Sequence, residues 1–444
     1  MSTVYTIAFT LFVPVLLVRL YLRGFVTPDC RRRWRERFGL ETPDFGPGGR
    51  PVWIHAVSVG EAIAATPIID YLTVQHPDTP VIVTTTTATG AATVARRFGK
   101  NVEHRYFPYD LPSVVRRFLR RVDPRMLILM ETELWPNLLQ ACAVRHVPVI
   151  VANARLSARS ASRYAWFPAM TRAMIAAVNC FGAQSARDRE RFIDLGAIED
   201  AVVVTGSLKF DIELPPSIAE SGQAIRRRLG TNRTVIMGGS TREGEEDVLL
   251  DVFGRLLPRH PDLLLVIAPR HPERFDVVAE ICRKRSIPVI RHSEGGACTS
   301  AASVFLIDGM GELPAFYAAC DVAFVGGSLV PKGGHNVLEP AAMGIPIVVG
   351  MHTFNFLEIV DMLHAAGALE RVRNVDDLAA AVDRWLCDGD ARDRAGASGR
   401  AVVEKNRGAA MKLTGIIEQL FENEGGSSGT GVPFPANGHA KLRT

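Results

Sequence analysis

The chain has 444 residues, 47% hydrophobic and 22% charged, which suits an α/β protein of two to three domains with a large core. A net charge of +4 is too small to imply a nucleic-acid partner, and no zinc-finger or RNP-type motif is present. The seven cysteines, at 30, 142, 180, 282, 298, 320 and 387, contain no C-x-x-C pair, and their odd number argues against a disulfide framework and for a reducing compartment.

Residues 1–22 are expected to form a membrane anchor. Met1 to Val18 carries no charged side chain, and a run of arginines from Arg19 to Arg37 follows it. A secretory signal would place its basic residues first and end on a small-residue cleavage site. The order seen here keeps the basic flank inside, so the body faces the cytoplasm. The apolar run is at the short limit for a span and contains Pro14, so a helix lying in one leaflet stays open. The segment Cys30–Gly39 (CRRRWRERFG) either sits on anionic headgroups or only sets topology.

From Pro51 apolar runs alternate with helix-like stretches. The runs are Val52–Val57, Val81–Thr85, Met126–Met130, Val147–Val151 and Val202–Val204; helical spacing fills Ala62–Gln75 and Ser113–Arg121. The pattern restarts with Val235–Met237, Leu263–Ala268, Val304–Ile307, Val322–Val325 and Ile345–Val349. Such alternation predicts parallel sheets covered by helices on both faces. The turn-rich stretch Gly206–Ser221 divides the two sets, giving an expected first domain over 23–208 and a second over 209–421, facing each other across a cleft. Residues 422–444 read as a disordered tail.

Ligands of parallel sheets bind beyond the strands' carboxyl ends. In the second half those ends carry Ser240 and Arg242 (GGSTREGEE), Arg270 and His271 (PRHPERF), Gly309 and Gly311 (DGMGELP), and the stretch VGGSLVPKGGHNVLEPAAMG. In the last, Gly326, Gly327, Gly333 and Gly334 permit close approach to an anion, and a helix is expected over His335–Met343. Glu339 would then lie a turn in, on the face of His335, where a carboxylate can accept from a ribose diol. In the first half, Ser58, Gly60 and Glu61 (HAVSVGEAIA) follow the first strand, Glu131 and Glu133 (METELWP) another, and Asn153 and Arg155 (ANARLS) the next. Lys209 lies at the domain junction. With its apolar neighbours Glu61 can be a general base of raised pKa, or it can simply complement a helix dipole. Glu131 and Glu133 are the runner-up base, or else they organise the cleft through hydrogen bonds. Walker A, G-x-G-x-x-G and H-E-x-x-H patterns are absent, and Asp388–Gly389–Asp390 follows a late helix, so no metal site or cofactor is expected.

Eight motifs in order, HAVSVGE, FPYDLP, ETELWPNLL, ANARLS, GSLKFD, GGSTREGEE, APRHPERF and GGHNVLEPAAMG, closely resemble the Kdo (3-deoxy-D-manno-octulosonic acid) transferase family and cover Val52 to Asn355. The resemblance implies a B-type glycosyltransferase fold, with the acceptor on the first Rossmann-like domain and the nucleotide sugar on the second. It implies inverting transfer of Kdo from CMP-Kdo to the lipid A precursor (lipid IVA) at the cytoplasmic face of the inner membrane. Glu61 is then the base. Arg270, Glu339, Asn336 and the adjacent glycines, with Lys209, Ser240 and Arg242, hold the donor. Another reaction on this fold, such as UDP-hexosaminyl transfer or epimerisation, is the alternative.

Overall fold

The computed structural model describes residues 2–23, 25, 33–46, 48–212, 217–296, 298 and 303–425. They form two compact units, Met1–Asp211 with Arg407–Thr444, and Ile212–Asn406.

The first unit holds β1 (Val52–His55), β2 (Val81–Thr85), β3 (Glu103–Tyr106), β4 (Met126–Met130), β5 (Val149–Ala154), β6 (Cys180–Ala183) and β7 (Val202–Val204). They pair in parallel in the order β3-β2-β1-β4-β5-β6-β7. Strands β1, β2, β4 and β5 are buried at every position, as helix-covered parallel strands must be. Strand order reverses between β1 and β4, and there the sheet's ligand crevice opens.

The second unit repeats the plan with β8 (Thr234–Thr241), β9 (Leu263–Pro269), β10 (Val289–Arg291), β11 (Val304–Leu306), β12 (Val322–Val325), β13 (Ile347–Val349) and β14 (Leu369–Arg371). The order is β10-β11-β9-β8-β12-β13-β14, again all parallel, with the reversal between β8 and β12.

Several expectations need correction. β3, β6, β10 and β14 carry no apolar run of the kind the sequence reading used. β3 (EHRY) is a polar edge strand, and β10 and β14 are three-residue pieces at or near an edge. β6 (CFGA) is fully buried but only four residues long and is broken by Gly182, where a side chain would lie 2.5 Å from that of Leu413. The stretch 62–75 is two helices, Val59–Ala64 and Thr66–Gln75, since Pro67 cannot donate within a continuous helix and opens the second one instead. The helix expected from His335 starts only at Leu338. Gly333 and Gly334 hold φ of 90° and 75°, and Asn336 Oδ1 accepts the Leu338 N–H at 3.1 Å, which ends the loop there. His335 therefore lies before the helix, not on a shared helical face with Glu339.

The chain's end belongs to the first unit, where the sequence reading ran the second domain to 421. The helix Ala409–Gly425 packs Leu413, Ile416, Ile417 and Phe421 into the core beside Ile54 and Ile68. Asp211 accepts the Gly408 and Ala410 N–H groups at 2.6 and 2.5 Å, fixing its start. Of the expected tail, 422–425 are helical and the rest lies outside the described residues. Ser2–Arg23 is one helix, apolar enough over Thr3–Leu22 to cross a membrane. Cys30, Arg31 and Arg32 of the basic segment lie outside the described residues, and the remaining six cysteines are free thiols.

Candidate functional site

At the β1/β4 reversal Ser58 caps the short helix Val59–Ala64, its Oγ accepting the Glu61 N–H. The Glu61 carboxylate turns back on the cap. Oε2 accepts the Val57 N–H at 2.8 Å and Oε1 accepts the Ser58 hydroxyl at 3.0 Å. The helix-start role and a proton-accepting role thus coexist in one side chain, since each oxygen keeps a second lone pair. Burial raises the Glu61 pKa to about 7, and the nearby Glu131 and Glu133 carboxylates add to the rise against the two hydrogen bonds. Gly60 is exposed, and a side chain added there would meet only the Ser58 Oγ, at 3.8 Å.

The loop after β4 brings Glu131 and Glu133 toward the same place. Burial raises Glu133 to about 7 as well, although the Trp135 indole donates to it at 2.9 Å. Glu131 has φ of 58° and Asn153 of 54°, a left-handed backbone that non-glycine residues hold only where neighbours enforce it. The Asn153 side chain is fully buried; Oδ1 accepts the Leu208 N–H at 3.0 Å, and Nδ2 has no partner among the described residues. Asn153 thus fixes the turn Leu208–Phe210 that carries Lys209, so Lys209 belongs to the first unit and not to the second domain as expected. Arg155 is half-buried, and its carbonyl accepts the Thr132 hydroxyl.

At the β8/β12 reversal the second unit gathers Ser240, Arg242, Arg270, His271, His335, Asn336 and Glu339. Ser240 holds φ of 54°. Arg242 Nε–H donates to His335 Nε2 at 3.2 Å, and its Nη1 contacts His271 Nε2. Burial and the charges of Arg242, Arg270 and His271 push His335 down to about 4, so it stays a neutral acceptor. Arg270 is exposed and makes no ion pair among the described residues; its charge, after burial, lowers the Arg242 pKa. Two neighbouring guanidiniums that repel each other are a ready receptor for an anion. Glu339 is held by the Asn336 amide at 3.0 Å, and burial raises its pKa against the pull of Asn336 and Arg270. Gly334 lies in the same loop, whereas Gly309 and Gly311 follow β11, on the far side of β9 from the reversal.

Sequence reasoning passed over Glu245, which organises this loop. It is fully buried, and its carboxylate accepts the backbone N–H groups of Gly327 (2.7 Å), Arg242 (2.9 Å), Ser328 (3.0 Å) and Leu329 (3.0 Å). The readable signal was the acidic run Glu245–Glu246–Asp247 opening the helix Glu245–Leu256 directly after a glycine-rich strand end. Gly326 must lack a side chain, because a Cβ there would fall 2.5 Å from the Ser240 carbonyl oxygen. Of Asp388–Gly389–Asp390, only Asp388 lies outside the helix Gly389–Asn406; its carboxylate accepts the Ala391 N–H at 2.9 Å at the helix start.

Two Rossmann-like units in one chain, with residues 297–402 matching Glycosyl transferases group 1, define a B-type glycosyltransferase. Residues 32–212 match the family described as 3-Deoxy-D-manno-octulosonic-acid transferase (kdotransferase). The 3-deoxy-D-manno-octulosonic acid transferase of Haemophilus influenzae is 39% identical over 92% of this chain and 96% of its own length. That of Bordetella pertussis is 38% identical over 86% of this chain and 90% of its own. The chain belongs to the Kdo transferase family. In fold alone it is also similar to UDP-GlcNAc 2-epimerase from Neisseria meningitidis bound to UDP-GlcNAc, at 17% identity and a TM-score of 0.56, over 84% of this chain and 100% of that one.

Proposed function

We propose that this chain transfers Kdo from CMP-Kdo to the lipid A precursor lipid IVA in lipopolysaccharide synthesis, with inversion, at the cytoplasmic face of the inner membrane. Glu61 is the general base. Its carboxylate takes the proton of the acceptor hydroxyl, the freed oxygen attacks the anomeric carbon, and the bond to the CMP phosphate breaks on the opposite face. A pKa near 7 suits this task, because a large share of the group is ionised near neutral pH yet it is basic enough to hold the proton. Glu131 and Glu133 keep the Glu61 proton affinity high, and Ser58, Asn153 and Arg155 shape the acceptor side with Gly60.

The second unit holds the donor. Arg242 and Arg270 meet the phosphate and the sugar carboxylate, His271 and His335 hold Arg242 in place, and Glu339 with Asn336 accepts from the ribose. Ser240, Gly334, Gly309 and Gly311 offer backbone to the ligand. The observation that carries the reading is the buried, capped Glu61 at the reversal of strand order in a chain of this family. The test is product mass after incubation with CMP-Kdo and lipid IVA. Addition of one or more Kdo masses is expected. Turnover of UDP-GlcNAc without Kdo transfer would sink the proposal.

A further inference from the structure

The exposure of the first helix, Ser2–Arg23, is two-faced although its composition is not. Val4, Ile7, Leu11, Val15, Val18 and Leu22 are 55–74% exposed and recur every three or four residues, a single stripe. Tyr5, Thr6, Phe9, Val13, Leu16 and Leu20 are half-buried or buried and form the opposite stripe along nearly the whole helix. This inner stripe lies on the first unit. The Thr6 hydroxyl donates to Asn137 Oδ1 at 3.0 Å, and Phe9 meets Trp135 edge-on at 6.5 Å. Tyr5 walls a cavity of about 270 Å³ with Glu133, Trp135, Tyr164 and Met174.

Those contacts bear on how the helix meets a bilayer. If it crossed with Arg19 and Arg23 at the cytoplasmic surface, Tyr5 would lie roughly 21 Å deeper, near the far side. Glu133 in the cavity wall, and the exposed Arg159 and Arg163 on the helix Ala158–Ala165 that carries Tyr164, would then be carried into hydrocarbon. Charged side chains at that depth are strongly unfavourable. A helix with protein on one side and acyl chains on the other needs no polar face, which accounts for its apolar composition all round.

We propose that Ser2–Arg23 lies in the plane of one leaflet, its inner stripe on the first unit and its outer stripe among acyl chains, with both ends on the cytoplasmic side. Trp166 and Phe167, 74% and 51% exposed, stand next to Tyr164 and enter the same interface. The proposal rests on the membrane reading given above.

A protease-cleavable epitope fused ahead of Met1 tests it. Cleavage in inverted inner-membrane vesicles, with protection in spheroplasts, is the expected result. Cleavage in spheroplasts overturns the in-plane placement and leaves membrane binding standing. Recovery of unwashed protein in the soluble fraction overturns both. A second measurement guards against a perturbing tag: Thr6→Cys with Asn137→Cys should be joined by a short bismaleimide in native membranes. Joining only after detergent extraction would mean that the helix leaves the body when it meets lipid, and would refute the placement.

Discussion

Replacing Glu61 by Gln should inactivate the protein and, at alkaline pH, stabilise it. Folding lifts the Glu61 pKa from 4.5 to about 7, worth about 3 kcal/mol between the two protonation states. The sign follows from proton counting. Between those two values the native state keeps a proton that the unfolded chain has released, so stability falls as pH rises through the window and is flat above it. Gln carries no charge and escapes this loss. It also gives up one of the two acceptor roles toward Val57 and Ser58, at about 1 kcal/mol. The variant should therefore be more stable than wild type by about 2 kcal/mol at pH 8 and slightly less stable at pH 5. Chemical denaturation across pH 5–8 reads this, and Kdo transfer should fall by about 10²–10⁴ for loss of a general base. Turnover within tenfold of wild type would remove Glu61 from the chemistry. Parallel stability curves for the two proteins would refute the burial argument itself.

Three further outcomes are expected. Wild-type turnover should rise between pH 6 and 8 through an apparent pKa near 7, because the base must be ionised; a flat profile under rate-limiting chemistry would contradict this. Glu245→Ala leaves four N–H groups, two of them fully buried, without their acceptor and should cost about 4 kcal/mol in urea unfolding of the second unit. Arg270→Ala should weaken CMP protection against thermal unfolding about 10–100-fold in Kd with little loss of stability, since this guanidinium is exposed and makes no ion pair among the described residues. An unchanged Kd would place the anion elsewhere.

Much of this was legible before any coordinates. β2, β4 and β12 have the expected ends, because a strand buried on both faces must be written as a continuous apolar run, and the edge strand β7 is as apolar although only Val202 is buried. β3 was invisible because an edge strand can carry Glu103, His104 and Arg105. The strand ends pointed to the right side chains, but a linear chain does not state strand order. It could not tell that Glu61 and Glu131 share one reversal while Gly309 and Gly311 sit two strands from the other. Glu245 was hidden for a different reason. Three acidic residues open its helix, and only the fold shows that Glu245 turns inward to bind the glycine loop while Asp247 pairs with Arg285 on the surface. Lys209 was assigned across the junction because nothing local reveals that Asn153, far upstream, holds its turn.

The return of Ala409–Gly425 to the opening unit changes how lesions at the carboxyl terminus should be interpreted. A premature stop a few codons before Leu413 spares every strand of the nucleotide-type sheet, yet it strips one wall from the core that carries Glu61. Genetic defects there should resemble those mapped to the first two hundred codons rather than those of their immediate neighbours in the gene.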